Sequence, residues 1–82
     1  MKASLRRVVE SMRRNPVDVR FTDLEKVCDG VFGPPRRRGG SHAIYRTPWR
    51  GDPRVNIQDD AGRAKAYQVK QVLAAIDEME SR

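Results

Sequence analysis

The residues with the most chemistry in them lie close together, in the stretch RRRGGSHAIYRT from Arg36 to Thr47. It holds three consecutive arginines (Arg36, Arg37 and Arg38), the Gly39-Gly40 pair and the only histidine of the chain, His42. An imidazole has an unperturbed pKa of roughly 6.5, so it takes up or releases a proton near neutrality. Guanidinium groups beside it can hold a phosphate and steady the charge that develops on it. The blander reading of the arginines is a solvated strand edge that discourages sheets from associating.

Charge points the same way. The chain has 82 residues, with 17 Lys+Arg against 11 Asp+Glu and a formal net charge of +6. Between Arg36 and Arg54 stand six arginines and one acid, Asp52, so five of the six net charges fall in the middle of the sequence. A positive field focused in this way favours polyanions: nucleic acid first, an anionic membrane second, an acidic protein third. The length suits one small domain with a shallow site, and argues against an enclosed small-molecule cofactor. A single cysteine, Cys28, allows no intrachain disulfide and fits a reducing compartment. One His and one Cys make a poor ligand set for a metal. No apolar run reaches bilayer length and no signal-peptide core is evident, so a cytoplasmic location and no membrane partner are expected.

Several elements must position the basic stretch. Leu5, Val8, Val9 and Met12 fall at i, i+3, i+4 and i+7 and predict an amphipathic helix within 1–14, stopped by Asn15-Pro16. Val17 to Phe21 alternates and reads as an extended connector with some strand character. Thr22-Asp23-Leu24-Glu25 has the pattern of a capping box, in which the Thr22 hydroxyl accepts from the Glu25 amide and Glu25 reaches back. A second helix over 22–32 follows, with Leu24, Val27, Cys28 and Val31 inward, which makes Cys28 a small core residue rather than a nucleophile. Gly33-Pro34-Pro35 ends it.

Strands are expected over 36–58. Gly39-Gly40 tolerates the positive φ of a hairpin turn, and Ser41 to Thr47 continues as a strand. In it His42, Ile44 and Arg46 point one way and Ala43, Tyr45 and Thr47 the other; sequence alone does not settle which face meets the core. Pro48 to Pro53 forms a loop, Arg54 to Gln58 a third strand with Val55 and Ile57 inward, and Asp59-Asp60-Ala61-Gly62 a turn. The last helix, over 65–80, buries Val69, Val72, Leu73, Ile76 and Met79. The order α-α-β-β-β-α predicts one α+β domain over 1–82, a three-stranded antiparallel sheet with its helices on one face and the other face open.

With Gly40-Ser41-His42 followed by Ile44-Tyr45, the chain resembles the HicA-type toxins of bacterial toxin-antitoxin pairs, which carry Gly-Ser-His at the start of a strand. The resemblance extends to Asn15-Pro16 with Val19-Arg20-Phe21, to Val55-Asn56-Ile57-Gln58, and to the block from Gly62 to Val69. It covers most of the chain from Asn15 onward. It implies a fold like a small double-stranded-RNA-binding domain and the activity of an mRNA interferase, a ribonuclease with His42 as catalytic residue. A HicB-type antitoxin would be its protein partner. Many relatives carry a second histidine directly after the first, where this chain has Ala43, so no two-histidine pair can form within one subunit.

On that reading His42 is the base that activates a 2′-hydroxyl for attack on the adjacent phosphate, a reaction that needs no metal. Direct hydrolysis is the alternative, and the general acid is not identified. Arg36, Arg37, Arg38, Ser41, Arg46 and Lys65 are the candidate RNA contacts, with Arg37 and Arg38 the nearest to relieve phosphorane charge. Tyr67 at the start of the last helix could touch backbone phosphate, and Trp49 could stack on a base or close over an apolar edge. A non-catalytic RNA-binding module and a protein that docks an acidic partner are the competing functions.

Overall fold

In a computed structural model, the structure describes residues 1–37, 42–47 and 54–81, with Arg37 described by its backbone alone. The expected turn from Arg38 to Ser41 and the loop from Pro48 to Pro53, with Trp49, lie outside the described residues.

The first apolar stripe becomes the inner face of α1 (Ala3–Arg14), with Val9 and Met12 buried and Leu5 and Val8 half-buried. Asn15 caps its end, donating its amide to the Ser11 carbonyl. The second helix, α2, spans Phe21–Phe32 and packs beside α1. Gly30 permits a close approach between the two, since a Cβ there would collide with the Leu5 side chain.

The start of α2 corrects the capping-box expectation. Arg20 is the N-cap and makes no side-chain cap bond, and Thr22 sits exposed inside the first turn. A tertiary contact takes the place of the cap. The Phe21 amide, one of the donors a helix start leaves unpaired, donates to the Gly62 carbonyl at 3.0 Å, and the Ala64 amide donates to the Val19 carbonyl at 2.9 Å. Arg20 forms an isolated antiparallel bridge with Arg63, so the strand character expected of this connector is confined to that point. Burial of Phe21 then fixes where the helix begins.

Gly33, at φ 87°, closes α2 and turns the chain through Pro34-Pro35 into the sheet. Its strands are β1 (Arg36–Arg37), β2 (His42–Arg46), β3 (Arg54–Asp60) and β4 (Arg63–Ala64), antiparallel throughout and in the order β1-β2-β3-β4. The three expected strands are present, and the two-residue β4 extends the sheet by a hairpin. Asp59 and Asp60 belong to β3, where they pair with Ala64 and Arg63, instead of lying in the turn. The turn itself is Ala61-Gly62, with φ of 53° and 87°, the two positive values a type I′ hairpin requires. Asp59 still supports it, because its carboxylate accepts the Gly62 amide at 2.6 Å.

The last helix, α3, spans Ala66–Glu80, with Lys65 as its N-cap. Val69, Val72, Leu73 and Ile76 are buried and Met79 is half-buried. Helices α2 and α3 cover one face of the sheet, and α1 packs across the pair. From the sheet this core receives Ala43, Tyr45, Val55 and Ile57.

Candidate nucleic-acid interface

Alternation along β2 now has a direction. His42 and Arg46 are exposed and Ile44 is half-buried, while Ala43, Tyr45 and Thr47 are buried. Tyr45 sets this choice. Its side chain is wholly enclosed, its hydroxyl donates to Asp29 Oδ1 on α2 at 2.5 Å, and its ring lies 6.3 Å from that of Phe32. A slip of one residue would bury His42 and Arg46 and expose that ring, which makes the register strongly specified.

The neighbouring strands complete the open face. Arg36 pairs with Ile44 from β1, and Gln58, Asn56 and Arg54 of β3 pair with His42, Ile44 and Arg46. Paired residues share a face. The described residues of that face thus include His42 and the arginines Arg36, Arg46 and Arg54, and further along β3 the carboxylate of Asp60, which pairs across the hairpin with Arg63. The phase of the ladder follows from Gln58, whose amide points away from β2 and donates to Gln68 Oε1 on α3 at 2.8 Å. Gln58, Asn56 and Arg54 therefore occupy the non-hydrogen-bonded positions, where facing Cα atoms are only about 4.5 Å apart. His42 lies close against Gln58, and Arg46 close against Arg54.

Residues at the start of α3 sit at the His42 end of the sheet. Ala64 pairs with Asp59, the residue after the partner of His42, and Lys65 follows at once as the half-buried N-cap of α3. Tyr67 is exposed, and its hydroxyl accepts from Gln68 Nε2 at 3.3 Å. Gln68 is 3% exposed, so the amide that ties α3 to β3 is a buried strut below this end of the sheet.

Of the residues expected at the site, the structure brings His42, Arg36 and Arg46 onto one face and sets Lys65 at its end. Arg37 pairs through its backbone with Ala43. Arg38 and Ser41 lie outside the described residues. Sequence reasoning passed over Arg54, Gln58 and Gln68, and also a cleft of about 270 Å³ lined by Phe32, Pro34, Pro35, Arg36, Ile44, Arg46 and Arg54. The inward assignment of Val55 and Ile57 already implied an outward Arg54. The cleft had no comparable signal, because it forms only where the end of α2 meets the paired strands.

Cys28 plays no part in this surface. It is wholly buried, and burial, with the nearby charges of Asp29 and Glu25, holds its thiol well above the usual range. Such a thiol is inert as a nucleophile. Among the described residues no three His, Cys, Asp or Glu side chains come together as metal ligands would, and no helix is long and apolar enough to cross a membrane. In comparisons with known proteins, no family model matches the chain, and neither a curated protein nor a solved structure does so.

Proposed function

We propose that the chain is an mRNA interferase of the HicA type, a metal-independent endoribonuclease that uses His42 as its base and is neutralised by a HicB-type antitoxin. The observation that carries this reading is the exposed His42 on an open sheet face that also bears Arg36 and Arg46. A face of this kind admits a sugar-phosphate chain without any rearrangement of the core. The α+β architecture, with helices on one side only, suits a fold of the double-stranded-RNA-binding kind, and the cytoplasm is where such an enzyme meets messages.

The chemistry follows from the groups at hand. The imidazole of His42 takes the proton of a 2′-hydroxyl, whose oxygen then bonds to the adjacent phosphorus. Guanidinium groups offset the charge that builds on the phosphorane oxygens. The bond from phosphorus to the 5′-oxygen breaks and that oxygen takes up a proton, leaving a 2′,3′-cyclic phosphate and a 5′-hydroxyl. His42→Ala should lower cleavage by roughly 10²-fold or more while the protein stays folded. Growth and mRNA integrity in a bacterial host expressing each form test this, and end analysis of the fragments tests the route. Persistent growth arrest by the variant would overturn the role of His42, and 5′-phosphate ends would replace transesterification with hydrolysis.

The second reading is a non-catalytic RNA-binding module, favoured by Arg36, Arg46 and Arg54 on that face and the absence of a second imidazole from the chain. RNA retained intact by both wild type and His42→Ala would select it.

A further inference from the structure

We propose that the cleft between the end of α2 and the open sheet face is a nucleobase-binding subsite, in which one unpaired base of a single-stranded RNA seats against Ile44 while Arg36 and Arg46 hold its flanking phosphates. The proposal rests on RNA being the ligand of this face and adds where a base is gripped. Three features support it.

The first is composition. Four of the lining residues are apolar, Phe32, Pro34, Pro35 and Ile44, and the other three are the arginines Arg36, Arg46 and Arg54. A slot lined by apolar groups and cations together complements a ligand with a flat uncharged part and anionic ends. Nucleotides in a single strand have that chemistry, and base stacking on apolar and aromatic side chains beside a cationic track is how such strands are held.

Size is the second. At about 270 Å³ the cleft falls just under the range of about 300–1,000 Å³ typical of small-molecule sites. It accommodates one ring system. A partner helix, some 10–12 Å across with its side chains, is too wide for it.

The third is position. Ile44 lies two residues along the same strand and the same face from His42, an offset of about 6–7 Å. Arg46 lies a further two residues on. A strand laid along β2 thus meets the imidazole, the slot and the cation in succession, so a base at a fixed offset from the cleaved phosphate enters the cleft.

The test uses the full chain carrying His42→Ala, so that RNA is bound without being cut, and measures anisotropy of dye-labelled single-stranded RNA. Oligonucleotides with one abasic position moved along the strand are compared with the intact sequence. One abasic position should weaken binding by roughly 5- to 100-fold. Adding Ile44→Ala should remove that difference, and adding Arg46→Gln should weaken all the oligonucleotides and reduce the salt slope by about 1. Circular dichroism checks the fold. If Ile44→Ala does not fold, the double variant Arg36→Gln with Arg46→Gln carries the test through the abasic difference and the salt slope. A uniform response to abasic substitution, or a base preference that survives Ile44→Ala in a folded protein, overturns the subsite. RNA cleavage by the His42 form with such a uniform response would sink the subsite and leave the nuclease standing. No RNA binding at low salt would sink both. An acidic protein whose binding is lost with Ile44→Ala while RNA binding is kept would assign the cleft to that protein and overturn the proposal.

Discussion

Tyr45 decides which residues of β2 reach solvent, and it does so through a polar handle on a buried ring. Burial first, and then its hydrogen bond to Asp29, hold the phenol well above its ordinary range. An unfolded tyrosine ionises near pH 10. Because the folded value is raised, the stabilisation is fully present below about pH 10 and is lost as pH rises further. Cys28, raised for the same reason, adds to this decline from the lower ionisation of an unfolded thiol. Tyr45→Phe should cost about 1–2 kcal/mol at pH 7 through the lost bond to a carboxylate. Urea titrations between pH 7 and 11 should show the wild type losing stability faster than the variant on the alkaline side, and parallel curves would refute this account. The alternation around Tyr45 was legible in the sequence. Its direction was not, because it depends on Asp29 of a different element standing under the hydroxyl.

At the scale of elements, each helix was legible from its apolar spacing, whereas two boundaries came from contacts that no local pattern encodes. The start of α2 depends on the Gly62 carbonyl, and Thr22 offered a local N-cap that the helix overruns by starting at Phe21. Strand β4 is too short to show any alternation, and only pairing with Asp59 and Asp60 defines it. The hairpin between β3 and β4 therefore supports both the sheet and a helix start, and it contains the one described non-glycine residue at positive φ, Ala61. A left-handed conformation costs an ordinary residue roughly 1–2 kcal/mol. Ala61→Gly relieves that strain but gives the unfolded chain more freedom. The balance should be a gain of about 0.5–1 kcal/mol, read as a higher urea midpoint at unchanged slope. A lower midpoint would mean that the Ala61 side chain contributes packing that outweighs its strain.

For the whole molecule, the sequence made the one-sided sheet and the concentration of cations evident, since both follow from patterning and charge. The cleft beside Ile44 was hidden because three separate segments build it, each of which reads locally as a terminator or a strand. The helical side of the molecule joins distant parts of the chain in a similar way. Arg13 of α1 holds both carboxylate oxygens of Asp77 on α3, at 2.6 and 3.3 Å, and Met1 lines the same hollow as Glu80. This adjacency makes the order of threading separable from the packing itself. A circularly permuted chain, cut between Pro16 and the exposed Val17 and closed by a glycine-serine linker from the end of α3 to Met1, should unfold cooperatively at about the same temperature as the original. Should the permuted chain melt without cooperativity, α1 would be needed as the opening segment of the chain, and its place against α3 would depend on more than proximity.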